Sequence, residues 1–173
     1  MPKPNRPTPS NIPAPLLVRS AGEFAEMMAF LRDRPLIAVD TESDSLFRYH
    51  PRVCLIQISA CLDEADARPT PADPLPTVDY LLDPLSFHRF QSLGEILADP
   101  QVEVLFHAAE NDVRLLDRDF NFRCANVYDT QLAARILGRN GVGLAAMLQD
   151  EFGVVSDKSM QRTDWGRRPL TPQ

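Results

Sequence analysis

Cysteine is scarce in this chain: three among 173 residues, Cys54, Cys61 and Cys124, with no CxxC pair and no zinc-ligand spacing. That scarcity excludes a disulfide scaffold and a zinc module, and it reads as reduced packing thiols in a cytoplasmic protein. No apolar run approaches the roughly 18 residues of a membrane span. The N-terminus has no short apolar core of an export signal, so neither a membrane segment nor a signal peptide is expected. Positive charge is not in excess either, since 18 Lys and Arg against 24 Asp and Glu give a net charge of −6. A broadly basic surface that coats nucleic acid is thereby excluded, whereas an acidic site neutralised by metal is not. No internal repeat is visible. What is present, 44% hydrophobic and 24% charged residues, suits one soluble domain with a substantial core.

Residues Met1 to Pro15 carry six prolines and few large apolar groups, which reads as an extended arm ahead of a domain over 16–173. Leu16 to Val18 forms a short apolar strand candidate. Ser20 and Glu23 have the spacing of a capping box, and Phe24, Met27, Met28 and Leu31 follow at helical period up to Pro35. Strands are expected over Leu36–Glu42, Val53–Ser59, Thr77–Leu82, Val102–His107 and Asn126–Tyr128. The short connection makes the second of these antiparallel to the first. Helices are expected over Phe87–Leu97, from Ala108 or Ala109 to Arg118, from the Asp129-Thr130 cap to Gly138, and over Leu144–Phe152. The Asp-, Ala- and Pro-rich stretch from Cys61 to Pro76 reads as a loop insertion. Meandering strands followed by alternating strands and helices predict an α/β sandwich around one mixed sheet.

Leu36-Ile-Ala-Val-Asp-Thr-Glu42 ends a buried strand on two carboxylates. Side chains alternate along a strand, so Asp40 and Glu42 share a face. Two like charges there repel and lose hydration. Protonation, an Arg or Lys partner, or a divalent cation would each relieve them, and exposure at a solvated strand end would remove the problem. Oxygen-only ligands suit Mg²⁺ or Mn²⁺. Asp112 falls in the first turn of a helix that follows another central strand. It is either a plain helix N-terminal acid or a third carboxylate gathered at the same sheet edge.

Ala38-Val-Asp-Thr-Glu-Ser-Asp-Ser-Leu46 with Leu55-Ile-Gln-Ile58 resembles the first motif of the DEDD 3′→5′ exonucleases, and Val104 to Leu116, with Asp112, resembles the second. Val127 to Gly138, Gly143-Leu-Ala-Ala146 and Lys158 to Leu170 are similar to the ribonuclease D branch, whose members carry a Tyr in the last motif. The resemblance implies a ribonuclease-H-like fold, a mixed five-stranded sheet flanked by helices, and hydrolysis of the terminal phosphodiester of a nucleic-acid 3′ end, RNA before DNA. It implies two Mg²⁺ or Mn²⁺ ions, with Asp40 bridging both, Glu42 on the nucleophile side and Asp112 acting through a water. Thr41, Ser43, Leu46 and His107 fall at positions implied to meet the substrate, with Leu46 a wedge beside the last base.

The resemblance also calls for a fourth Asp preceded four residues earlier by a Tyr. Tyr49, Tyr80 and Tyr128 are followed at that spacing by Val53, Pro84 and Leu132. The domain is therefore expected to be incomplete at its C-terminus, without its last helix, and to hydrolyse very weakly. The alternative function is an impaired domain that binds nucleic acid or a protein partner without cutting. Further candidates each have two readings. His107 is a strand-end hydrogen-bonder or a participant in the site. Gln57 reaches the site or satisfies backbone groups. Lys158, Arg162, Arg167 and Arg168 form a solvated tail or contact phosphate. Trp165 anchors packing or stacks on a base. His50 and His88 read as surface residues.

Overall fold

The computed structural model describes residues 13–62, 76–157 and 159–170. Most of the proline-rich arm, most of the Cys61–Pro76 insertion and Lys158 lie outside the described residues. Six strands form one sheet: β1 (Leu16–Val18), β2 (Leu36–Ser43), β3 (Val53–Cys61), β4 (Thr77–Leu82), β5 (Glu103–Phe106) and β6 (Val127–Asp129), in spatial order β1-β4-β3-β2-β5-β6. The sheet is mixed, since β3 runs antiparallel to β2 and β4 while the other neighbours are parallel. The resemblance implies five strands, and the sheet holds six, with all six strand candidates of the sequence in it. Leu16–Val18 adds in parallel to the outer side of β4, placing Val18 in the core next to Leu82.

Each helix follows from its own signals. Helix α1 (Ala21–Leu31) starts at Ser20, whose hydroxyl accepts from the Glu23 N–H at 3.4 Å while the Glu23 carboxylate accepts from the Ser20 hydroxyl and the Arg19 N–H. Its buried residues are Phe24, Met27, Met28 and Leu31. Helix α2 is shorter than its apolar pattern predicts and covers only Leu93–Leu97. The reason is local: Asp83 accepts from the Leu85 and Ser86 backbone and draws the start of that stretch into a turn. Helix α3 (Glu110–Phe120) ends at Asn121, left-handed at φ 57°, and α4 (Thr130–Ile136) precedes Gly138 at φ 71°. Helix α5 (Leu144–Met147) runs on as a π-helical turn over Leu148–Phe152.

Ile37, Val39, Ile56, Ile58 and Leu82 meet α1 and α3 in one buried cluster, which extends through Phe90, Phe120 and Phe122. Burial pushes the Cys54 and Cys124 thiols up to about 11, which fits packing rather than reactive cysteines. Among the described residues no helix is long and apolar enough to cross a membrane.

Candidate active site

Strand β2 lies in the middle of the sheet and alternates as its sequence predicts. Ile37 and Val39 are buried, while Ala38, Asp40 and Glu42 face the other way. Asp40 pairs across with Gln57 of β3, whose amide points at Asp40 Oδ2 at 3.5 Å, the outer limit of a hydrogen bond. Between Glu42 and Ser43 the register with β3 shifts by a residue. Such bulges re-aim side chains at strand ends.

Asp112 arrives from α3. Strand β5 runs parallel to β2, so α3 begins at the edge where β2 ends. The turn between them is built by Ala108, left-handed at φ 62° although it is not glycine. Its N–H and that of Ala109 donate to the two oxygens of Asp129, each at 3.0 Å. Asp129 also accepts from Gln131 and Leu132 as the cap of α4. One carboxylate therefore fixes the starts of two helices and compensates the cost of the Ala108 conformation. Asp112 is 8% exposed, and its Oδ1 accepts from the Thr41 N–H at 3.1 Å and the Thr41 hydroxyl at 2.5 Å. Thr41, a position the resemblance assigns to substrate, spends its hydroxyl on orienting Asp112.

The three acids act on one another. Loss of hydration, and then the charge of Asp112, pushes Asp40 up to about 6, although the residue keeps an open side to solvent. Loss of hydration, followed by Asp40 and Asp112, pushes Glu42 up to about 7. Burial raises Asp112 as well, against the lowering effect of its Thr41 bonds. Among the described residues none of the three pairs with a Lys or Arg. Nor do any three His, Cys, Asp or Glu side chains there converge into a ready-made metal cage. The donor set nonetheless fits hard divalent cations, being oxygen-only, like-charged, short of cationic partners and above its ordinary protonation range.

Around Asp40 lies a cleft of about 390 Å³, lined in part by Gln57, Ser59, His107, Thr130 and Leu144. The Thr130 hydroxyl donates to the Phe106 carbonyl, so it accepts from His107, placing that proton on Nδ1. His107 Nε2 is covered and has no partner. Leu46 stands 66% exposed on the connection after Ser43. The basic cluster divides. Arg162 and Arg167 stay exposed, whereas Arg168 turns inward, donating to both oxygens of Asp83 at 2.7 Å and to the Cys54 and Trp165 carbonyls. Arg168 is neither a solvated tail nor a free phosphate contact. Asp83 and Asp44 carry structural roles that local sequence did not reveal, and Asp129 adds to its expected α4 cap the bonds to Ala108 and Ala109 from across the sheet edge.

A mixed α/β sheet with carboxylates gathered at the end of its central strand defines a ribonuclease-H-like nuclease domain. The chain belongs to the 3′-5′ exonuclease family, whose model matches residues 16–173. It is a domain of the ribonuclease D and RRP6 type. It is 32% identical over 157 residues to Protein RRP6-like 3 of Arabidopsis thaliana, covering 90% of this chain and 16% of that one. It is 30% identical over 168 residues to ribonuclease D of Granulibacter bethesdensis, covering 96% of this chain and 39% of that one. The crystal structure of Escherichia coli RNase D, an exoribonuclease involved in structured RNA processing, superposes with a TM-score of 0.74 at 30% identity over 92% of this chain and 39% of that chain. The catalytic core of RRP6 from Trypanosoma brucei superposes at 0.78 with 26% identity, over 98% of this chain and 42% of that one. The chain thus spans well under half the length of these relatives.

Proposed function

We propose that this domain hydrolyses the terminal phosphodiester of RNA from the 3′ end, with Asp40, Glu42 and Asp112 holding Mg²⁺ or Mn²⁺. The observation that carries the reading is the unpaired trio of mutually repelling carboxylates at the end of β2, held by a dedicated hydrogen bond from Thr41 to Asp112. Bound divalent cations would supply a more acidic water and neutralise charge developing on the phosphate. The chain's own residues supply the rest. Thr41 holds Asp112 Oδ1 in place through its N–H and its hydroxyl. Gln57 steadies Asp40. Leu46 and Ser43 take the last nucleotide by resemblance to the family, and His107 lines the cleft around Asp40. RNA as substrate is supported by the relatives named ribonuclease D, and a cytoplasmic setting by the free thiols of Cys54, Cys61 and Cys124.

The test is shortening of a 5′-labelled single-stranded RNA in Mn²⁺. A ladder of products shortened from the 3′ end, absent in EDTA and in Asp40→Ala, is expected. Internal cleavage, or a ladder that survives Asp40→Ala, would overturn the assignment. The alternative outcome of the same assay is binding of 3′ ends without cutting. RNA binding with no cleavage in any divalent cation would select it.

A further inference from the structure

The connection between β2 and β3, residues 44–52, is organised around a carboxylate outside the trio. Asp44 is fully buried, and its Oδ1 accepts from the Arg52 N–H at 2.9 Å and its Oδ2 from Arg52 Nε at 3.3 Å. Its carbonyl accepts from the Phe47 and Arg48 N–H groups, closing a tight turn. From α3, Arg118 donates to the Pro51 carbonyl and Asp119 accepts from the Val53 N–H at 2.8 Å. The tip is thus held from inside and from behind. Charge is sorted across it, with the carboxylates of Asp44 and Asp119 turned inward and the side chains of Arg48 and Arg52 63% and 51% exposed.

On this tethered tip stand Leu46, Phe47 and Tyr49, with Tyr49 94% exposed and meeting His50 edge to face at 4.8 Å. Three large apolar side chains are half or more open to water within four residues, interleaved with arginine, and Tyr49 is almost wholly so. A rigid aromatic ring beside exposed guanidinium groups has the chemistry of a base-stacking platform flanked by phosphate contacts. The tip springs from the end of β2 that carries Glu42, so a strand whose 3′ end lies at the carboxylates has its preceding nucleotides within reach of it.

We infer that Tyr49, with Arg48 beside it, binds single-stranded RNA upstream of the terminal nucleotide and makes binding depend on strand length. The inference rests on the exonuclease reading for the direction of the strand. Its test separates the two. Affinities for a 5′-fluorescein dinucleotide and octanucleotide of uridine are measured by anisotropy in EDTA, where nothing is cut. The chain is compared with Tyr49→Ala, Tyr49→Phe and Arg48→Ala.

The octanucleotide is expected to bind more tightly than the dinucleotide. Tyr49→Ala is expected to weaken the octanucleotide by about tenfold and leave the dinucleotide and the melting temperature unchanged, while Tyr49→Phe retains the preference. Arg48→Ala is expected to lower the slope of log affinity against log salt by about 0.7. A length preference that is absent, or intact in Tyr49→Ala, overturns the inference. So does an unchanged RNA affinity accompanied by loss of a concentration-dependent dimer in Tyr49→Ala, which would make the tip a protein contact. Cleavage of the dinucleotide in Mn²⁺ reports on the carboxylates alone. Cleavage without a Tyr49 effect sinks only the platform, and a Tyr49 effect without cleavage sinks only the exonuclease reading.

Discussion

Asp83 and Asp40 stand at the same edge of the same sheet, because Thr41, Ile56 and Leu82 lie in one row across β2, β3 and β4. Their surroundings differ in burial and, more tellingly, in the charge that meets them. Asp83 is 1% exposed, receives both arms of the Arg168 guanidinium and the Ser86 hydroxyl, and closes the C-terminal segment onto the sheet. Burial alone would raise its carboxyl, but these bonds and the guanidinium charge hold it below the ordinary value. Asp40 meets two other carboxylates and an amide, and its carboxyl is pushed the other way. The first carboxylate is satisfied within the fold and serves stability. The second is left short of positive charge, which the proposed cations would bring.

Removing a ligand group from the unsatisfied side is expected to have the largest effect. Asp40→Asn should lower Mn²⁺-dependent cleavage about a hundredfold or more while the protein stays folded. A variant that cuts at the parental rate would end the comparison. On the satisfied side the cost should fall on stability. Arg168→Ala strands a buried Asp83 and should cost about 3 kcal/mol in denaturant unfolding, and a change near zero would show that the clasp is ornamental. A smaller loss, about 1 kcal/mol, is expected for Gly166→Ala, whose added methyl would sit 3.0 Å from Asp44 Oδ2 and 3.2 Å from its Cβ. An unchanged midpoint would show that the segment moves aside freely.

The subtlest test is the pH dependence of melting in EDTA. Asp40 and Glu42 bind protons more tightly folded than unfolded, so their contribution is fully present near pH 4 and is lost as pH rises through about 6 and 7. Asp83 has the opposite sign, with its contribution present above about pH 4 and lost on further acidification through its lowered value. Melting temperature should therefore fall between pH 5 and pH 8, and Glu42→Gln should flatten that limb. A parental profile in Glu42→Gln would refute the electrostatic account. Mn²⁺ should restore more stability at pH 8 than at pH 5, because the ionised carboxylates are the ones that hold it.

Much of this was legible in the sequence. Strand β2, its pairing with β3, the face shared by Asp40 and Glu42, and the caps at Ser20 and Asp129 rest on alternation and short-range hydrogen bonding, which local sequence encodes. Two kinds of feature were not. Arg168 read as one cation in a basic tail because its partner lies 85 residues away. Helix α2 looked three turns long because Phe87 and Phe90 are buried from a loop, and burial without regular backbone mimics a helical stripe. The roles of Asp44 and Thr41 also depend on the fold, which buries Asp44 under Arg52 and brings Thr41 to Asp112.

The antiparallel turn of β3 has a practical consequence. Leu55 pairs with Glu42, but Ser59 pairs with Ala38, about 13 Å away at the usual strand rise. Cys61, where β3 ends, pairs with Thr77, where β4 begins. The chain therefore leaves and re-enters the sheet at the edge opposite the carboxylates. A reporter group or an affinity handle spliced between Leu62 and Pro76 would ride on the far side of the sheet from the carboxylates, leaving the proposed entrance for a nucleic-acid end unobstructed.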